Sequence, residues 1–278
     1  MDGSLTYNAL TVDLEDWYHG CCAGEQPAVP AEARRVRQNT ELILALLEEC
    51  RVKATFFVLG SVAELDRSLV PMIAGAGHEI ASHGYSHTLV SRLAPAEFLD
   101  ELRRTAAILA EQSGALPAGF RAPQWSLGNA TPWAMEILKR EGCLYDSSLN
   151  PLAVVGDRRG PRAPFGIETG SGTLLELPPM VTPSPIGNLP TGGGWGFRFF
   201  PRAMIRRTME RLNQAGAPAV LYLHPRELDP YGPRLPLSRF QSFVSYGPRI
   251  DPSDRLRELL SQFHFKTLKE LALAWKPA

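Results

Sequence analysis

The chain has no surplus of charge: 29 lysines and arginines stand against 29 aspartates and glutamates. Nothing in that balance points to a nucleic-acid backbone or an anionic membrane surface as partner. Long apolar runs are missing as well. None reaches the roughly 18 residues of a membrane span, so no transmembrane segment is expected. The N-terminal stretch lacks a basic segment followed by an apolar one, and a cytoplasmic enzyme is the expectation. Cysteine is sparse, and Cys21, Cys22, Cys50 and Cys143 fit neither a disulfide framework nor a C-x-x-C metal knuckle. Adjacent Cys21 and Cys22 are expected to be reduced thiols in a loop. Fixed-period repeats and low-complexity linkers are absent. What is there is 44% hydrophobic content over 278 residues, enough for a large core. We expect one domain over 1–278, with a loop-rich insertion at about 150–200 and a C-terminal extension at about 226–278.

Apolar periodicity alternates between two periods along the chain. Strands are expected over 9–17, 53–60, 78–82, 118–123, 144–148, 173–178 and 219–223. Helices are expected over 31–51, 61–75, 95–113, 132–141, 201–216, 253–263 and 267–276. Pro71 is expected to bend or end the second helix. This alternation predicts an α/β fold with a mostly parallel sheet. Residues 150–201 read as loop around the single strand 173–178, and Gly192–Gly194 as a hinge or a close backbone approach.

Polar residues that have no reason to close strands nevertheless do so: Asp13, Glu15, Asp16, His83, Arg121, Asp146 and His224. In parallel α/β architectures that end carries the active site. Among them His83 and His87 stand i and i+4, a spacing that one helical turn or a tight helical loop brings to one face, where two imidazoles converge on a metal ion. The intervening Gly-Tyr-Ser lacks the glutamate of a zinc peptidase's H-E-x-x-H. His78 and His264 read as structural. His19 reads as a satisfied loop histidine.

Four motifs in order, TVDLED, SHGYSH, RAP and LYLHP, resemble those of the polysaccharide deacetylases of carbohydrate esterase family 4, the NodB homology group. The segments TVDLEDWYH, FRAPQWSL, YDSSLNP, GGGW and HPRELDP are similar to the branch associated with exopolysaccharide loci and the exosortase system. The resemblance implies a distorted, incomplete (β/α)7-type barrel with a C-terminal helical extension. It also implies metal-dependent removal of N-acetyl groups from amino sugars, with a carbohydrate substrate. His83 and His87 match the family's metal ligands, Asp13 its general base, Arg121 the residue orienting that base, and His224 its general acid. The metal would be zinc, with cobalt or nickel as alternatives. The family's usual second aspartate is replaced here by Leu14, so the third ligand would be Asp16 or Glu15. Strand alternation puts Glu15 on the face of Asp13; the family's habitual aspartate favours Asp16. Asp146 is offered as the partner of His224, and Trp125 and Trp195 as surfaces for a sugar. Two rival readings use the same fold: a deformylase or amidase on a small or lipid-linked sugar, and a non-catalytic carbohydrate-binding relative.

Overall fold

The computed structural model describes residues 6–20, 29–153, 155–248 and 250–276. Strands β1 (Ala9–Leu14), β2 (Thr55–Val58), β3 (Glu79–Ser82), β4 (Gly119–Phe120) and β5 (Tyr145–Asp146) follow one another along the chain. A hairpin of β6 (Phe165–Thr169) and β7 (Gly172–Glu176), then a smaller one of β8 (Thr182–Ser184) and β9 (Gly187–Leu189), precede β10 (Val220–Leu223). The main sheet runs β10-β1-β2-β3-β4-β5-β7-β6, and only the β6/β7 pair is antiparallel. A curled, parallel-dominated sheet with two unclosed edges is the distorted, incomplete (β/α)7-type barrel expected above.

The helices are α1 (Val36–Cys50), α2 (Gly60–Leu65), α3 (Leu69–Gly75), α4 (Pro95–Ser113), α5 (Pro132–Arg140), α6 (Gly194–Phe199), α7 (Arg202–Gln214), α8 (Arg239–Tyr246), α9 (Ser253–Gln262) and α10 (Leu268–Ala274). Every residue of β1 is buried, and alternation divides them. Leu10, Val12 and Leu14 join Ile43 and Leu47 of α1 and Leu256 and Leu259 of α9 in the outer core. Ala9 packs inward with Phe57 and Tyr145, and Thr11 and Asp13 share that inner face. Each buried aliphatic side chain contributes about 1.5–3 kcal/mol, so the apolar face pins β1 in register and thereby fixes Asp13. The C-terminal segment returns to this strand: Asn8 donates its N–H to the His264 carbonyl at 2.8 Å and accepts from the Lys266 N–H at 2.9 Å.

Several local expectations are corrected. The first strand stops at Leu14, and 17–19 form a short 3-10 turn. The helix expected over 61–75 is two helices broken at Asp66–Ser68, with Pro71 inside the first turn of the second, where its missing N–H costs nothing. Residues 150–201 hold two hairpins and α6 rather than one strand in a loop. A further helix, α8, lies within 226–252. Gly192–Gly194 does make a close approach: a Cβ on Gly193 would lie 2.3 Å from the Tyr222 carbonyl oxygen. The run lies along the free edge of β10, with Gly192 accepting the Tyr222 N–H at 2.9 Å. Cys50 and Cys143 are unpaired thiols; Cys21, Cys22 and most of the loop expected around them lie outside the described residues. Among the described residues no helix is long and apolar enough to cross a membrane.

Candidate active site

Of the polar residues noted in the sequence, Asp13, Glu15, His83, His87, Arg121 and His224 converge at the carboxyl ends of β1, β3, β4 and β10. Asp13 ends the inner face of β1, and Glu15 follows in phase. His83 comes directly after β3, but His83–His87 is a bend and not a helical turn. Gly84 at φ +78° and His87 at φ +64° turn the chain so that both rings point the same way. That conformation is uncommon for a histidine. It is held from α4, where Glu101 accepts the N–H groups of Tyr85 at 3.2 Å and Ser86 at 3.3 Å and the Ser86 hydroxyl at 2.5 Å.

Glu15, His83 and His87 offer one ligand atom each within 4.8 Å of one another, and all three are buried. Glu15 Oε1 lies 2.9 Å from His87 Nε2 and 3.3 Å from His83 Nε2. His83 Nδ1 lies 2.8 Å from the Arg121 carbonyl oxygen, which fixes the ring and leaves Nε2 facing inward. Burial alone would raise the Glu15 carboxyl. The charges of His87 and His224, with hydrogen bonds from His83 and His87, instead hold it well below the usual carboxylate range. Asp16, the other carboxylate considered, turns away. Its Oδ1 accepts the N–H groups of Trp17 at 2.8 Å and Arg35 at 3.0 Å, tying the 3-10 turn to the start of α1. On position, the preference for Asp16 gives way to Glu15. The alternation of β1 carries one residue past the strand end, and the Asp16 oxygens are spent on backbone.

Asp13 Oδ1 accepts from Arg121 Nη1 at 2.7 Å. Arg121 is fully buried and uses its whole fork: Nη1 also donates to Thr11 Oγ1 at 2.7 Å, Nε to the Ser147 carbonyl at 3.0 Å, and Nη2 to Ser147 Oγ at 2.8 Å. Its guanidinium lies 4.1 Å from the Phe57 ring centroid and 4.9 Å from that of Trp125. The other carboxylate oxygen, Asp13 Oδ2, stands 3.8 Å from His224 Nε2 across the mouth.

Two residues without an assigned role in the sequence complete the site. Glu227 Oε1 accepts from His224 Nδ1 at 2.8 Å and from the His224 N–H at 3.0 Å. Arg226 Nη1 donates to Glu15 Oε2 at 2.9 Å, leaving Oε1 to the histidines. Burial would raise Glu227, but the Arg198 guanidinium and the His224 ring bring it down to about 2. The signal was in HPRELDP, where Pro and Glu at the first and third helical positions build a cap around His224. Asp146 does not serve His224. It accepts from Ser148 Oγ at 2.6 Å and pairs with Glu176, its register partner on β7. Burial and this neighbour raise Glu176 well above the usual range.

Trp125 stands beside Arg121 and edge-on to Tyr222, 4.9 Å between centroids. Trp195 packs instead among Phe199, Phe200 and Phe243. His19 is structural: its Nδ1 accepts the Asp16 N–H at 3.0 Å, and burial, with the nearby His87 charge, lowers it to about 3. His78 Nδ1 likewise accepts the Ala54 N–H at 3.1 Å.

Comparison with known proteins points the same way. Residues 28–141 match the family model described as polysaccharide deacetylase, and residues 147–273 match a domain of unknown function, DUF3473. A peptidoglycan deacetylase of Helicobacter pylori is 33% identical over 107 residues, 38% of this chain and 36% of that protein. A chitooligosaccharide deacetylase of Bradyrhizobium is 40% identical over 82 residues, 29% of this chain and 37% of that protein. The matched stretch thus spans little more than a third of either relative. The crystal structure of a Mycobacterium smegmatis protein assigned to the polysaccharide deacetylases superposes with a TM-score of 0.58 at 25% identity, covering 86% of this chain and 79% of that one. The chain therefore carries a polysaccharide deacetylase domain of carbohydrate esterase family 4, the NodB homology group.

Proposed function

We propose that this chain is a metal-dependent hydrolase that removes N-acetyl groups from amino sugars of an exopolysaccharide or its precursor. The observation that carries the reading is one mouth holding three metal donors, a carboxylate anchored by a buried arginine, and an imidazole 3.8 Å across from that carboxylate. One carboxylate and two imidazoles are the donor set of an open catalytic zinc site, which keeps positions for water and substrate. Glu15, His83 and His87 would hold the ion, zinc first and cobalt or nickel as alternatives. When bound, the ion supplies Lewis acidity, lowering water's pKa from about 15.7 toward about 7 and polarising the acyl oxygen.

The protein's own groups then divide the proton transfers. Asp13 Oδ2, the oxygen not committed to Arg121, takes the proton of the attacking water. Arg121 keeps Asp13 ionised and in one rotamer. His224, oriented through Nδ1 by Glu227, delivers a proton from Nε2 to the departing amine. Acid and base roles of this kind contribute about 10²–10⁴ each in rate. The exopolysaccharide assignment rests on the likeness of the five segments quoted above to that branch. The test is acetate release from a panel of N-acetylated amino sugars with zinc, cobalt or nickel added. Formate released from formylated analogues in place of acetate would redirect the reading to a deformylase. Release of neither, from any member with any metal, overturns it.

A further inference from the structure

The run Gly192–Gly194 and the helix it opens, α6, take no part in the proton transfers described above, yet they bracket His224. Two residues before the histidine, Tyr222 donates its N–H to the Gly192 carbonyl at 2.9 Å, and a Cβ on Gly193 would sit 2.3 Å from the Tyr222 carbonyl oxygen. Within α6, a Cβ on Gly196 would lie 1.9 Å from the Pro190 carbonyl oxygen. Backbone approaches this close seat the helix against β10 and admit only glycine. From that seat Arg198 reaches the other side of the histidine. Its Nε lies 3.4 Å from Oε2 of Glu227, three residues after His224, and both side chains are buried. Glu227 Oε1 holds His224 through its Nδ1 and its N–H. Oε2 has no hydrogen-bond partner among the described residues, and the guanidinium is its charge partner. A buried carboxylate without a counter-charge is strongly disfavoured, and Arg198 is the foremost of the charges that offset the burial of this one.

We infer that Arg198 is a positioning residue for His224: its charge anchors the Glu227 carboxylate, which in turn aims His224 Nε2 into the mouth. The inference rests on the deacetylase reading and gives the glycine-seated helix a task within it. The test measures acetate release and zinc content in the zinc-loaded full chain for wild type, Arg198→Met, Arg198→Lys, Glu227→Gln and the double variant Arg198→Met/Glu227→Gln. In Arg198→Met kcat falls about 10–100-fold, as for other groups that orient a reacting side chain, while KM and zinc content stay unchanged. Arg198→Lys recovers most of that loss, because one carboxylate oxygen needs only a point charge. In the Glu227→Gln background Arg198→Met lowers kcat no further, since the two residues act in series. A helix that merely props the wall would lose the same factor in either background. Should Arg198→Met fail to fold, the double variant has both buried charges removed, and its kcat against that of Glu227→Gln still decides. Unchanged kcat in Arg198→Met, no recovery with lysine, or a further loss of about tenfold in the double variant overturns the inference while leaving the deacetylase reading in place. If the wild type releases no acetate, that reading fails, and the His224 Nδ1–H proton resonance, identified by its loss in His224→Ala, decides separately. Its disappearance in Arg198→Met supports the positioning, and its persistence overturns it.

Discussion

Replacing Glu227 by glutamine tests the support behind His224, the proposed general acid. The change keeps the shape and an acceptor for His224 Nδ1 but removes the charge. Glu227 is buried, and burial by itself would raise its carboxyl; the Arg198 charge, the His224 hydrogen bond and the His224 charge bring it to about 2, against an ordinary 4.5. A carboxyl depressed on folding adds stability that is complete above its unfolded value and fades as pH falls toward its folded one. The difference corresponds to about 3 kcal/mol at pH 7 and shrinks to about 1 kcal/mol at pH 3. Urea unfolding of wild type and Glu227→Gln at these pH values, with equal m-values, reads the gap directly. Turnover should drop about 10–100-fold, as for other groups that orient a reacting side chain. A stability gap that stays constant from pH 7 to pH 3, or one below about 0.5 kcal/mol at pH 7, refutes the charge argument.

Other substitutions separate the remaining roles. Arg121→Met strands the Asp13 carboxylate in the barrel and should cost about 3–5 kcal/mol of unfolding free energy; Arg121→Lys should not restore it, since one ammonium cannot reach Thr11, Asp13 and both Ser147 oxygens. Zinc at a hundred times its dissociation constant should stabilise the wild type by about 2.7 kcal/mol, and His87→Ala should lose that gain in a thermal-shift titration. His224→Ala should lower turnover by about 10²–10⁴ with zinc still bound; loss of zinc in that variant would show that His224 is a ligand and not the acid.

The strands that position the site were legible because their apolar runs are buried on both faces, as in β1, β2 and β10. The β6/β7 hairpin was only half legible. The exposed face of β6 carries Gly166 and Glu168, and β7 opens on exposed glycine and threonine, so neither the full alternation nor an apolar run appears. β8 and β9 are three residues each, one of them holding Pro183, too short for any period to register. Within the site, the position of Glu15 beside the histidines followed from strand alternation, whereas the pull toward Asp16 came from habit of residue type. Asp146 was misassigned because its partner, Glu176, is 30 residues away on a strand whose pairing no local pattern encodes. Glu227 and Arg226 lay in plain view beside His224. Their contacts required knowing that a capping turn there folds back on both His224 and Glu15.

The central claim is that Glu15, His83 and His87 hold the ion while Asp13, next to them, does proton chemistry only. The most direct measurement is zinc bound per chain, together with acetate released per bound zinc, for Glu15→Gln and Asp13→Asn. The account predicts that Glu15→Gln loses zinc, whereas Asp13→Asn keeps it and releases no acetate. Wild-type zinc content in Glu15→Gln, or wild-type acetate release by Asp13→Asn, would contradict it.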